Sequence, residues 1–188
     1  MVIGLGAGAV GIVFPAAFST LTDCTASGEL EEIVKFVNKT NTKMVIEGMK
    51  SGVAGCIPAL NYRTLVELRS AIIELKNAKI EGGSFGFNLI VNKSNFLYKE
   101  QLAICCEEKV DFIITSLGSP EETINQAHKA GVLVFCDVTD VKYAKKVEAL
   151  GADAVIAVNK EAGGHAGNIS YKELIPLLKS ECTIPVIS

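Results

Sequence analysis

From residue 41 onward, short runs of continuous apolar residues alternate with longer stretches whose apolar residues recur every three or four positions. No other feature limits the fold as tightly. The continuous runs lie at 53–60, 85–91, 112–115, 132–137 and 154–158, and another begins at 185–188. Between them lie helical patterns, the clearest with Leu65, Leu68, Ile72 and Leu75 on one face. A strand that is apolar along its whole length is covered on both faces, as in a parallel sheet. Strands and helices in alternation, with short connections, read as repeated βαβ units. Composition agrees. Hydrophobic residues make up 49% of the chain and aromatics 6%, so Ala, Val, Ile and Leu carry the apolar weight. A chain of 188 residues builds one such core and not two ordinary domains.

The helix ends fit this reading. Thr64 with Glu67, Ser119 with Glu122, and Ser170 with Glu173 have the spacing of capping boxes. Pro120 falls at a first helical position, and Gly131 and Gly151 fall where left-handed helix ends are expected. A closed barrel needs eight strands in roughly 250 residues. Five clear strands and the start of a sixth predict an α/β fold of the (β/α)8 TIM type, incomplete in this chain. Its C-terminal part is expected to lie outside the sequence. A doubly wound open sheet has the same periodicity and remains the structural alternative. Residues 1–40 do not continue the pattern. They form an atypical N-terminal segment with a Gly-rich apolar run at 2–17 and one helical stretch at 29–37.

Several function classes are disfavoured. The net charge of −3 gives no basic surface for nucleic acid. The run at 2–17 lacks a positively charged start and is short for a membrane span, so no membrane association is expected. The six cysteines have no metal-binding spacing such as C-x-x-C and read as reduced thiols of a cytoplasmic protein; no metal site is expected. The stretch Gly6-Ala7-Gly8-Ala9-Val10-Gly11 matches G-x-G-x-x-G literally. A dinucleotide-binding turn needs a helix next, however, and Ile12-Val13-Phe14-Pro15 reads as strand and breaker.

Chemistry concentrates in one loop, Glu161-Ala162-Gly163-Gly164-His165-Ala166-Gly167. It directly follows a strand, which in a barrel is the rim where reacting groups sit. Glycines there let the backbone approach a flat cofactor or a phosphate. An imidazole there can take a proton from a carbon acid or bind an anion. A His facing water in a helix-entry loop is the plainer alternative; position, neighbours and residue type favour function. Asn88 lies inside an apolar strand and needs partners, either a ligand at the barrel mouth or a neighbouring backbone. Thr115, Ser116 and Asp137 also fall at strand ends and are candidates to line the mouth, although Asp137 equally suits a helix cap with Thr139 and Asp140. His128 reads as a solvated helix residue.

Residues 41–188 resemble the nitronate monooxygenase family, formerly 2-nitropropane dioxygenases, which are FMN-dependent barrel enzymes related to enoyl-ACP reductase II. The resemblance rests on Ile57-Pro58-Ala59-Leu60-Asn61-Tyr62-Arg63-Thr64, Gly86-Phe87-Asn88-Leu89, Ile114-Thr115-Ser116-Leu117-Gly118 and above all on the glycine loop. It implies that 41–188 is a partial flavin-binding barrel. It further implies that Asn88 contacts FMN, that Gly163 and Gly164 let the backbone meet the flavin, and that His165 is the active-site histidine. The implied reaction is oxidation of an alkyl nitronate, with O2 reoxidising the flavin. Val158 and Asn159 stand where the family usually has Gln or Glu followed by Gly. An enoyl-thioester or quinone reductase is the related alternative. A catalytically incomplete fragment is the other, because missing strands leave open sheet edges that invite self-association into a homo-oligomer.

Overall fold

A computed structural model describes residues 2–5, 9–12, 14–15, 41–162 and 166–187. Strands β1 (Val2–Leu5) and β2 (Ala9–Ile12) form a small antiparallel sheet. Strand rather than helix therefore follows Gly8, which removes the dinucleotide-turn reading. The helical stretch expected at 29–37 lies outside the described residues.

The main sheet starts with the two-residue β3 (Phe14–Pro15), antiparallel to β4 (Val53–Pro58). The strands β4, β5 (Ser84–Ile90), β6 (Phe112–Ser116), β7 (Leu133–Val138), β8 (Ala154–Ala157) and β9 (Val186–Ile187) then pair in strict sequence order, all parallel. Helices α1 (Thr42–Lys50), α2 (Leu65–Ala78), α3 (Tyr98–Glu107), α4 (Glu121–Ala130), α5 (Val141–Ala149) and α6 (Tyr171–Glu181) complete the alternation.

Two separate cores decide between a barrel and a doubly wound sheet. The large one joins Leu68, Ile72 and Leu75 of α2, Leu102 of α3, Ile124 of α4, Val147 of α5 and Leu174 of α6 with Ile57, Phe87, Ile113, Val134 and Val155 of the strands. The small one contains strand residues alone, with Cys56, Phe112, Ile114 and Ile156 at its centre. Every helix that contributes to the core packs on the same face. A doubly wound sheet would place helices on both faces. The fold is a curled, open parallel sheet of six strands, an incomplete (β/α)8 barrel, and the small core is its interior.

Glycine makes the interior possible at β5. A Cβ on Gly86 would lie 2.3 Å from the Phe112 carbonyl oxygen and 2.4 Å from that ring. The Phe112 ring in turn stacks on Phe135, with centroids 5.0 Å apart.

The expected helix ends are met unevenly. Thr64 and Glu67 form the full reciprocal capping box. Ser170 accepts from Lys172 N but makes no reciprocal box. The box expected at Ser119 and Glu122 is absent. Pro120 itself occupies the N-cap position, without a side-chain cap bond, so Ser119 is displaced one residue outward. Gly131 closes α4 in the left-handed conformation at φ 75°.

Candidate functional site

Side chains alternate between the two cores along each strand. On β5 the interior phase is Gly86, Asn88 and Ile90; on β6 it is Phe112, Ile114 and Ser116. The register places Gly86 opposite Phe112, Asn88 opposite Ile114 and Ile90 opposite Ser116. On β7, Phe135 and Asp137 share that phase. The interior is therefore apolar toward the amino ends of the strands and becomes polar at the carboxyl ends, in the row Asn88, Ser116 and Asp137.

These three residues form one hydrogen-bonded chain. Asn88 Nδ2 donates to Ser116 Oγ at 2.7 Å and makes a long contact of 3.5 Å to the Ile114 carbonyl. Ser116 Oγ donates to Asp137 Oδ2 at 2.5 Å. Asp137 Oδ1 is buried and has no hydrogen-bond partner. Burial with one hydroxyl for company raises the Asp137 carboxyl from 3.8 to about 6, although the Ser116 bond opposes the shift. The helix-capping alternative for Asp137 is removed, because Asp140 caps α5 by accepting from Tyr143 N.

Thr115, expected at the mouth, has the opposite phase. Its hydroxyl donates to Cys136 Sγ at 3.2 Å inside the helix-facing layer. His128 is not simply solvated; its Nε2 lies 2.9 Å from Asp153 Oδ2, and that carboxylate also accepts from Val134 N. The thiols of Cys56, Cys105 and Cys136 are buried and free, and burial pushes all three pKa values up, so they are inert packing residues.

The loops above this row are tightly drawn. Leu117 takes a left-handed backbone, φ 61°, directly after Ser116. Gly118 then passes so close to β5 that a Cβ would sit 2.2 Å from the Val91 carbonyl oxygen. Tyr143 Oη donates to the Gly118 carbonyl at 2.5 Å and ties this turn to α5. Beyond β8, Gly167 N donates to the Asn159 carbonyl at 3.1 Å, so the two ends of the glycine loop meet. Asn159 Oδ1 accepts from Glu161 N, and Glu161 Oε2 accepts from Tyr171 N at the start of α6. Asn159, which departs from the expected Gly, thus serves as the loop's base. Gly163, Gly164 and His165 lie outside the described residues. Of the predicted cofactor-binding residues, only Asn88 is placed, at the mouth row. No group of residues that could hold a metal ion occurs among those described.

An apolar barrel interior capped by polar groups at the strands' carboxyl ends defines the class: a β/α barrel with its buried polar groups at the rim. The chain matches the family described as Nitronate monooxygenase over residues 74–188, and it belongs to that family of flavoenzymes. An octahydro-indene-carboxyl-CoA dehydrogenase of Rhodococcus jostii is 34% identical over 125 residues, covering 66% of this chain and 34% of that protein. A nitronate monooxygenase of Paraburkholderia phytofirmans is 35% identical over 97 residues, covering 46% of this chain and 26% of that one. Among solved structures, FabK from Thermotoga maritima superposes with a TM-score of 0.71 at 30% identity, over 78% of this chain and 45% of FabK. The chain thus spans about a third or less of the length of these curated relatives. Among the described residues, no helix is long and apolar enough to cross a membrane.

Proposed function

We propose that this chain is the flavin-binding core of an FMN-dependent oxidoreductase that oxidises alkyl nitronates with O2. The observation that carries the reading is the family match over 74–188, which includes the glycine loop at 161–167. The mouth row suits the cofactor chemically. It offers a positioned amide at Asn88, whose carbonyl oxygen is left for a ligand once its NH2 is committed to Ser116 and Ile114. In this reading Asn88, Gly163 and Gly164 hold the flavin. Glycine at 163 and 164 lets main chain come close to a flat ring. His165 serves the substrate as a base or as an anion-binding group. FMN, when bound, supplies the redox chemistry.

Flavin content tests the reading directly. The purified chain is expected to retain FMN in about equimolar amount, released on denaturation. His165→Ala is then expected to lower nitronate oxidation by at least about a hundredfold, the scale of lost acid–base catalysis. A chain that takes up no FMN on reconstitution overturns the reading and leaves the catalytically incomplete fragment. A thioester substrate is the second reading, favoured by the 66% of the chain that aligns with the carboxyl-CoA dehydrogenase. Turnover of a CoA ester in place of a nitronate would establish it.

A further inference from the structure

The chain of hydrogen bonds at the mouth has a fixed direction. The Ile114 carbonyl only accepts, so the Asn88 group turned toward it is the NH2. That same NH2 donates to Ser116 Oγ at 2.7 Å. The single hydroxyl hydrogen of Ser116 is then free to go only to Asp137 Oδ2, 2.5 Å away. Oδ2 is committed as an acceptor, so a proton carried by this carboxyl resides on Oδ1. Oδ1 is also the atom left buried without a partner.

We propose that Asp137 presents Oδ1 to an oxygen of the ligand bound at the mouth, and takes up a proton there when that ligand is an anion such as an alkyl nitronate. The choice of ligand rests on the nitronate reading above. A buried carboxylate and an incoming anion repel strongly where the effective dielectric is low. One proton on Oδ1 turns that repulsion into a charge-assisted O–H···O⁻ bond.

Among the described residues, the ionisable groups interacting with Asp137 are Cys56 of β4, Cys136 of β7 and Tyr143 of α5. Burial raises all three, so they stay uncharged near neutrality and cannot neutralise the anion. On β5 and β6 the facing groups are Asn88 and Ser116, neither of which titrates. Among the described residues no cation influences the carboxyl. None of these described groups supplies the proton, so in this proposal it comes from solvent and adds to Asp137 without breaking the Ser116 bond.

The experiment is calorimetric titration of the purified chain with propane-2-nitronate at pH 7, in two buffers of different ionisation enthalpy. Flavin content is measured beforehand on the same sample. With a midpoint near 6, the free carboxyl is mostly ionised at pH 7, so the wild type is expected to take up most of a proton per anion bound. Asp137→Asn is expected to lose that share of the uptake. In Ser116→Ala the bond that holds the midpoint down is lost, so uptake is expected to persist to higher pH; this variant carries the test if Asp137→Asn fails to fold. Binding without proton uptake, equal uptake in Asp137→Asn, an unmoved pH profile in Ser116→Ala, or no nitronate binding each overturns the proposal. A flavin-free chain that binds nitronate with full uptake overturns the flavin reading and sustains the role of Asp137. A flavin-loaded chain that binds without uptake does the reverse.

Discussion

At Asp137 a carboxyl is buried with a single hydroxyl partner, which shifts its balance toward the neutral form relative to water. Its folded pKa is raised, so between 3.8 and about 6 the folded state binds more protons than the unfolded state. Stability therefore falls as pH rises through that window, and the whole cost is present above it. At about 1.4 kcal/mol per pH unit, the cost is about 3 kcal/mol at pH 8. Asp137→Asn keeps an acceptor for Ser116 and cannot ionise. Chemical denaturation is expected to find this variant more stable than wild type by up to about 3 kcal/mol at pH 8 and equal to it near pH 4. A difference that does not change with pH would show that the carboxyl is solvated. Gly86 is the second residue on which the interior depends. Gly86→Ala drives a methyl against the Phe112 carbonyl oxygen, at 2.3 Å, between paired strands. A loss of about 3 kcal/mol or more is expected, above the usual overpacking cost because backbone has to move. Adding Phe112→Leu is expected not to restore stability, since the carbonyl remains; rescue would identify the ring as the obstacle instead.

Elements whose signals are local were readable in advance, and those set by partners far along the chain were not. Strands β4 to β8 follow from uninterrupted apolar runs, and the box at Thr64 and Glu67 follows from three-residue spacing. The same spacing at Ser119 and Glu122 misleads, because proline takes the cap position and supplies no side-chain acceptor. The two sites give a paired test. Thr64→Ala is expected to cost about 1 kcal/mol, the ordinary worth of an N-cap, whereas Ser119→Ala is expected to change stability by less than about 0.5 kcal/mol. Equal losses would mean that Ser119 caps α4 after all. The site divides along the same line. A polar residue inside an apolar run, such as Asn88 or Asp137, announces itself in any single sequence. Whether Thr115 or Ser116 faces the mouth depends on strand phase, and adjacent residues in a run apolar on both faces carry no mark of it. The Ser116–Asp137 bond joins strands 21 positions apart, so only the folded register brings its partners together.

For the molecule as a whole, the unequal cores imply unequal cooperativity. The helix-facing core joins helices α1 to α6 and buries large side chains such as Phe85, Phe87 and Leu89 on β5. β5 and β6 pair along five residues and lie inside the sheet. β9 pairs over two residues, Val186 and Ile187, which are only partly buried. β3 likewise meets β4 at two positions. Fewer ladder bonds and less buried apolar area mean that an edge opens without the rest. Hydrogen exchange at neutral pH should find the amides of 86–89 and 113–115 released only by global unfolding, with protection that falls with denaturant at the full slope. Those of Val186 and Ile187 should exchange through a low-energy opening insensitive to denaturant. A ligand seated on the row Asn88, Ser116 and Asp137 contacts β5, β6 and β7, so it should raise global stability and slow the central amides while leaving those of β9 unchanged. If β9 instead became protected together with the centre, the ligand would reach across β8 to the far edge. The mouth would then act as one unit with the whole sheet rather than resting on its three central strands.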